Sequence, residues 1–149
     1  MQMQMIQAGV EHVAQAAPLF DAYRQFYRQP SDLAGAAAFL RERTEHNESV
    51  IFLALLEDVA VGFTQLYPCF SSTSLKRLWI LNDLYVVPEA RRLGVAKALM
   101  ERARRLALET SAEGLALETA VDNRNAQQLY EQLGWIRDEE YFRYSLRVP

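Results

Sequence analysis

The 149-residue sequence predicts an α/β protein: a mixed sheet with helices packed on its faces. Three observations carry that prediction. Val50 to Leu56 is an unbroken apolar run of strand length, suited to a strand buried on both faces. Further strand patterns follow, from Val59 to Tyr67 and from Leu78 to Val87. Past Pro88 the period changes, and Val95, Leu99, Ala103 and Leu106 form an apolar stripe at helical spacing.

The remaining elements follow in chain order. Met3 to Ala8 is a short strand, and Val10 to Tyr27 a helix with Val13, Ala17 and Phe20 near helical spacing. Pro30-Ser31-Asp32 breaks that helix and caps a second one running to about Arg43. Glu57-Asp58 turns one strand into the next as a hairpin, and Pro68 to Ser74 reads as a polar loop. The striped helix ends near Thr110 at Glu113-Gly114. Leu115 to Val121 is a strand, Asn125 to Leu133 a short helix stopped by Gly134, and Trp135–Arg137 and Tyr141–Arg147 are terminal strands. There are no repeats and no linker-like tracts, so residues 1–149 read as a single domain.

Composition narrows the function classes. Half the chain is apolar, enough for a core without metals or disulfides. The formal net charge of −3 argues against wrapping a nucleic acid, and no run approaches the ~18–20 apolar residues that span a bilayer. Cys69 is the only cysteine, which fits a reducing compartment, and MQMQMIQAG lacks the basic start of a signal peptide. The expected location is the cytoplasm. No His/Cys/Asp cluster has metal-ligand spacing, so no metal is expected.

The chemistry concentrates in Leu81 to Met100, a strand, a tight loop and a long helix. The first N–H groups of a helix lack internal partners and sit at the positive end of its dipole, so the Arg91–Ala96 turn can hold an anion. Gly94 lets a phosphate approach the backbone, and Arg91, Arg92 and Lys97 add positive charge. Taken alone, the same residues also describe an ordinary strand-to-helix turn. The spacing Arg91-x-x-Gly94-x-Ala96 after Leu-x-Val-x-Pro resembles the acetyl-CoA-binding motif of the GNAT superfamily of N-acetyltransferases, (Gln/Arg)-x-x-Gly-x-(Gly/Ala). Many members have glycine right after the first position, where this chain has Arg92. A second stretch, Asp122 to Trp135, resembles the family signature Asn-x-x-Ala-x-x-(Leu/Phe)-Tyr-x-x-x-Gly-(Phe/Tyr/Trp) at Asn123, Ala126, Leu129, Tyr130, Gly134 and Trp135.

The resemblance implies a GNAT-like fold with a mostly antiparallel sheet, and acetyl-CoA as co-substrate. It places the pantetheine arm along Leu84, Tyr85 and Val86 and the diphosphate on Arg91, Arg92, Leu93, Gly94, Val95, Ala96 and Lys97, with Asn123 bonding the arm. It also sets the Val86 amide near the thioester carbonyl, where one such donor typically contributes ~3–4 kcal/mol to the transition state. Tyr130 matches the tyrosine that protonates the departing thiolate. A phenol of pKa ~10 beside a thiol of pKa ~8.5 can do so. Read without the motif, Tyr130 is a core aromatic and Asn123 a turn residue before a helix.

The acceptor is expected to be a primary amine, on a small molecule or a lysine side chain, and must lose a proton before attack. Asp83 is the carboxylate nearest the implied thioester. Strand alternation puts it on one face with Tyr85, and Asn82 with Leu84 on the other. A charged Asp in so apolar a strand needs either a buried structural partner or a function. The wording of both motifs is closest to the branch of diamine and histone-type acetyltransferases. Diamine acetyltransferases place a glutamate base where this chain has Asn82. Tyr23 and Tyr27, with Phe26 on the first helix and Tyr67, Phe70 and Ser71 near the loop, are candidates for a wall around an alkylammonium; core packing is the alternative for each. Two functions follow: direct acetyl transfer in a ternary complex, or a non-catalytic acyl-CoA sensor suggested by the absent glutamate. Either can form a homodimer through the terminal strands.

Overall fold

The computed structural model describes residues 2–149, and these divide into two compact units, residues 2–117 and 118–149. The first unit runs β1 (Met3–Gln7), α1 (Val13–Phe26), α2 (Leu33–Glu45), β2 (Val50–Leu56), β3 (Val59–Ser71), β4 (Lys76–Val86), α3 (Val95–Glu109) and β5 (Gly114–Ala116), with a 3-10 turn before α1 and another before α3. Its strands lie side by side in chain order, antiparallel except that β5 runs parallel to β4. This is the mixed, mostly antiparallel sheet that the sequence predicts.

β2 shows why an unbroken apolar run works here. Ile51, Leu53 and Leu55 join Val13, Ala17, Phe20 and Leu40 from the first two helices in one core. Phe52 points the other way, and the Arg102 guanidinium of α3 lies 4.2 Å from its ring centre. Both faces are covered, so alternation with polar residues would have been destabilising. On α3 the predicted stripe Val95, Leu99, Ala103 and Leu106 is the buried one.

The N-cap at Asp32 is realised: its Oδ1 accepts from the Gly35 N–H at 2.9 Å. The preceding loop is clipped to α1 by Asp21, whose carboxylate accepts from the Asp32 N–H and the Ser31 hydroxyl, both at 2.7 Å. Those bonds, the backbone one first, hold the Asp21 carboxyl below the usual carboxylate range. The two bonds that clip the loop are not marked in the local pattern, because Ser31 and Asp32 lie ten and eleven residues away.

Gly62 was also unmarked. A Cβ there would stand 3.0 Å from Val95 Cγ1, 3.1 Å from the Tyr85 carbonyl oxygen and 3.3 Å from Leu99 Cδ1. The missing side chain lets the first turn of α3 sit against β3 and β4. Gly62→Ala is therefore expected to cost ~1–3 kcal/mol of stability, as overpacking does, read as a lower midpoint in urea with unchanged slope.

Three strand expectations are corrected. Pro68 to Ser71 is not loop; it extends β3 against Lys76–Trp79, and the turn shrinks to the residues between Ser71 and Lys76. β5 stops at Ala116 rather than Val121. In the second unit, α4 (Arg124–Gln132) is the short helix, and Gly134 takes the left-handed φ of 93° that suits a helix stop. The terminal strands Trp135–Arg137 and Tyr141–Arg147 do not form among the described residues. A strand exists only through a neighbour's backbone, and the alternation in sequence supplies no neighbour.

Candidate active site

The site grows from an irregularity in β4. Gln65 pairs with Asp83, but the next residue, Leu66, pairs with Leu81, so Asn82 is an extra residue bulged out of the ladder. The bulge undoes the predicted separation of Asn82 from Asp83. Asn82 Nδ2 donates to Asp83 Oδ1 at 3.0 Å, and both residues line one cavity. Simple alternation fails there because it assumes an unbroken ladder.

Asp83 is almost fully buried. Its Oδ2 accepts from Gln65 Nε2 at 2.7 Å, and its main-chain oxygen accepts from the Thr64 hydroxyl at 2.8 Å. The Tyr23 phenol has one proton for two acceptors: the Asn82 carbonyl, 3.3 Å away, and the neighbouring Asp83 carboxylate. Burial pushes the Asp83 carboxyl above its ordinary value, opposed by the bonds from Gln65, Asn82 and Tyr23. Burial first, and the Asp83 charge second, push the Tyr23 phenol upward and Tyr67 to about 12, so both stay neutral. Gln65 was missed by the sequence reading. It is wholly buried, and its Oε1 has no hydrogen-bond partner among the described residues.

The cavity holds about 500 Å³ and is walled by Phe20, Tyr23, Tyr27, Phe39 and Tyr67, with Asn82 and Asp83 in its lining. All four residues proposed for the acceptor, Tyr23, Tyr27, Asn82 and Asp83, meet there. Tyr23 and Tyr27 pack at 4.9 Å between ring centres, and Phe63 holds Tyr23 edge-on at 5.9 Å. Phe26 and Phe70 are outside this wall. Phe26 is exposed against Tyr27, and Phe70 is exposed beneath the Arg77 guanidinium. Ser71 and Cys69 are not in the lining either.

β4 also carries an open edge. Its pairing with β5 ends at Ile80–Ala116, so Leu81 to Val86 have no strand on that side among the described residues. The Val87 N–H donates to Val61 on β3 at 2.9 Å. Neighbouring residues in a strand point their backbone groups oppositely, so those of Leu84 and Val86 face the open edge. There Arg91 Nε donates to the Val86 carbonyl at 3.1 Å, fixing the loop to the strand.

The loop then delivers the helix. Gly94 is the N-cap of α3 with φ 82°, and no side chain caps the helix. The first intrahelical bond runs from Ala98 to Gly94, leaving the Val95, Ala96 and Lys97 N–H groups without an acceptor inside the helix. A Cβ on Gly94 would meet nothing within 4 Å. Its glycine is therefore required by φ and leaves open space over the backbone. Arg92 also has a left-handed φ, 64°, the conformation glycine takes freely. Arg91, Arg92, Leu93 and Lys97 are exposed around this turn. Bare amides, cations and free space over the turn fit a diphosphate, and the open strand edge beside it fits an amide-bearing arm.

In the second unit, Asn123 caps α4, its Oδ1 accepting from the Ala126 N–H at 3.4 Å. Tyr130 lies on the same helix with its ring 6.2 Å from that of Trp135.

Comparison with known proteins shows the family. The profile of the Acetyltransferase (GNAT) family matches residues 16–135. An uncharacterized N-acetyltransferase, YhfO, from Bacillus subtilis (strain 168) is 50% identical over 99% of both chains. A probable acetyltransferase from Haemophilus influenzae is 34% identical over 97% of this chain and 99% of its own. A crystal structure of a probable acetyltransferase superposes with a TM-score of 0.93 at 47% identity, covering 98% of each chain. The chain belongs to the GNAT family, and its class is the acetyl-CoA-dependent N-acetyltransferase.

Proposed function

We infer that this acetyltransferase acetylates a primary alkylamine that enters the aromatic cavity and is deprotonated by Asp83. The observation that carries the reading is that one strand, β4, bears both halves of the reaction. Its buried carboxylate lies in the cavity at Asp83, and its unpaired edge begins beside it and leads to the bare turn of α3. Acetyl-CoA supplies the activated acyl group. Arg91, Arg92, Leu93, Gly94, Val95, Ala96 and Lys97 bind its diphosphate, Leu84, Tyr85 and Val86 align its arm, and Asn123 bonds the arm through its amide.

Each chemical role follows from its surroundings. An alkylammonium is attracted to the aromatic wall and then to Asp83. The carboxylate takes one proton, directly or through water, and the free amine attacks. The Val86 N–H points to where negative charge develops on the acyl oxygen. After attack the nitrogen is cationic and gives its second proton to water, while Tyr130 protonates the departing sulfur as the carbon–sulfur bond breaks and is reprotonated from solvent. The size of the cavity and its aromatic lining favour a slender amine, either a small molecule or a single lysine side chain.

The test is a screen of diamines, amino acids and lysine peptides, reading released thiol. Turnover with primary alkylamines, lost when the amine is dimethylated, is the expected result; binding of acetyl-CoA without turnover on any amine would restore the sensor reading. Arg91→Glu is expected to raise the acetyl-CoA dissociation constant at least about tenfold. An unchanged constant would move the diphosphate elsewhere.

A further inference from the structure

Gln65 and Asp83 are cross-strand partners in the β3–β4 ladder, so their side chains share one face of the sheet. The bulge at Asn82 follows at once, and the Thr64 hydroxyl donates to the Asp83 main-chain oxygen at 2.8 Å. The backbone that carries the carboxylate is thus fixed from β3. The carboxylate is held from the same strand, since Gln65 Nε2 donates to Oδ2 at 2.7 Å.

That amide comes at an energetic disadvantage. Phe63, Thr64, Gln65 and Leu66 are all wholly buried, and the Gln65 Oε1 has no hydrogen-bond partner among the described residues. A buried carbonyl left unpaired destabilises a fold. Methionine would fill a similar length of the core with no polar group to satisfy. What glutamine adds over methionine is its bond to Asp83. The other two side chains that donate to this carboxylate differ in place. Asn82 and Tyr23 line the acceptor cavity, whereas Gln65 is outside the lining.

We propose that Gln65 is a positioning residue for the acetyl transfer, holding Oδ2 of Asp83 from outside the cavity so that the carboxylate stays ionised and Oδ1, on the Asn82 side, meets the entering ammonium. This role rests on the reading of Asp83 as the base. In the step it serves, an N–H bond of the ammonium breaks, an O–H bond forms on Asp83, and the proton then passes to solvent. Gln65 exchanges no proton. A bond donated to the ionised form favours that form. Burial pushes the Asp83 carboxyl up, and of the bonds that oppose burial the one from Gln65 is the largest. The titratable groups around it are Tyr23 and Tyr27 of α1 and Tyr67 of β3, with Arg24 and Asp32 in the same cavity lining and Arg43 of α2 acting on Tyr67. Tyr23 and Tyr67 stay neutral, so neither phenol supplies the charge that changes.

The test is the pH profile of kcat/KM with the best primary alkylamine of the screen, and carbon-13 NMR of the Asp83 carboxyl on the same proteins. The variants are Gln65→Met, Gln65→Glu, Asp83→Asn and the double variant Gln65→Met with Asp83→Asn. Gln65→Met should move the acidic limb and the carbon-13 midpoint up together by about one to two pH units, as expected for losing a bond to a charged group. Gln65→Glu, in which two carboxyls share one proton, should move both further. Above the limb, Gln65→Met should lower kcat about tenfold with KM for the amine little changed, because Gln65 does not line the cavity. In the Asp83→Asn background the same substitution should leave kcat within about twofold. A limb and midpoint that stay put in both Gln65 variants overturn the proposal. So does a Gln65→Met loss that adds in full to that of Asp83→Asn, which is the mark of a merely structural residue. Should Gln65→Met fail to fold, Gln65→Glu gives the same reading. Full turnover in Asp83→Asn, or no amine turned over by the wild type, is a different failure: it removes the base assignment, and with it any part for Gln65 in the reaction.

Discussion

Asp83→Asn is expected to lower kcat by about 10²–10⁴-fold while leaving thermal stability at pH 7 unchanged or raised. The two effects share one cause. Asp83 is buried, and its carboxyl titrates above the usual range because desolvation outweighs the bonds from Gln65, Asn82 and Tyr23. A folded-state pKa raised above the unfolded value contributes stability that is present below the unfolded pKa of 3.8 and is lost as pH rises through the folded one. At neutral pH the ionised group therefore costs folding energy, and asparagine removes that cost. Asparagine also suits the site if the Gln65 amide turns over, since its unpartnered Oε1 then accepts from the new NH₂. The proposed base, however, is gone. In the wild type kcat/KM should rise with pH through an apparent pKa above the ordinary carboxylate value, and in the variant that limb should vanish. A variant that keeps full activity would make Asp83 structural; one that loses activity only by unfolding would show in the melting curve.

Tyr130→Phe is the second large effect, a fall in kcat of about 10²–10³-fold with little change in acetyl-CoA affinity. Phenylalanine keeps the ring that packs near Trp135, so the helix is preserved. What is lost is the O–H to which the proposed function assigns protonation of the departing sulfur. Such a proton matters only as the carbon–sulfur bond breaks, so the loss should appear in kcat rather than in binding. An activated thioester with a better leaving thiol should narrow the gap between the two proteins. If kcat is unaffected, another group or water supplies the proton.

The sequence was legible where one periodicity ran undisturbed. β2 and α3 were readable because each keeps a single environment along its length, buried on both faces or on one stripe. The strand-to-helix turn at Arg91–Lys97 was readable because its geometry depends on local backbone and on residue types adjacent in sequence. The acceptor cavity was only partly so. Asp83 stood out as a charge in an apolar strand, yet its partner Gln65 is eighteen residues away and met it through the sheet register. Asn82 was assigned to the wrong face because a bulge is a property of two strands together. The absent glutamate suggested a sensor; the proposed function gives its place to Asp83, the buried carboxylate next to Asn82. Gly62 was invisible because only the approach of α3 gives its missing side chain a meaning. The terminal strands failed for a related reason: alternation specifies a strand's faces and leaves its partner unnamed.

The claim beneath all of this is that the turn opening α3, with the free edge of β4, holds acetyl-CoA. Titration calorimetry of the purified protein with acetyl-CoA tests it most directly. The account predicts a saturable heat with one site per chain, markedly weaker in Arg91→Glu. No saturable heat with acetyl-CoA or CoA would contradict it.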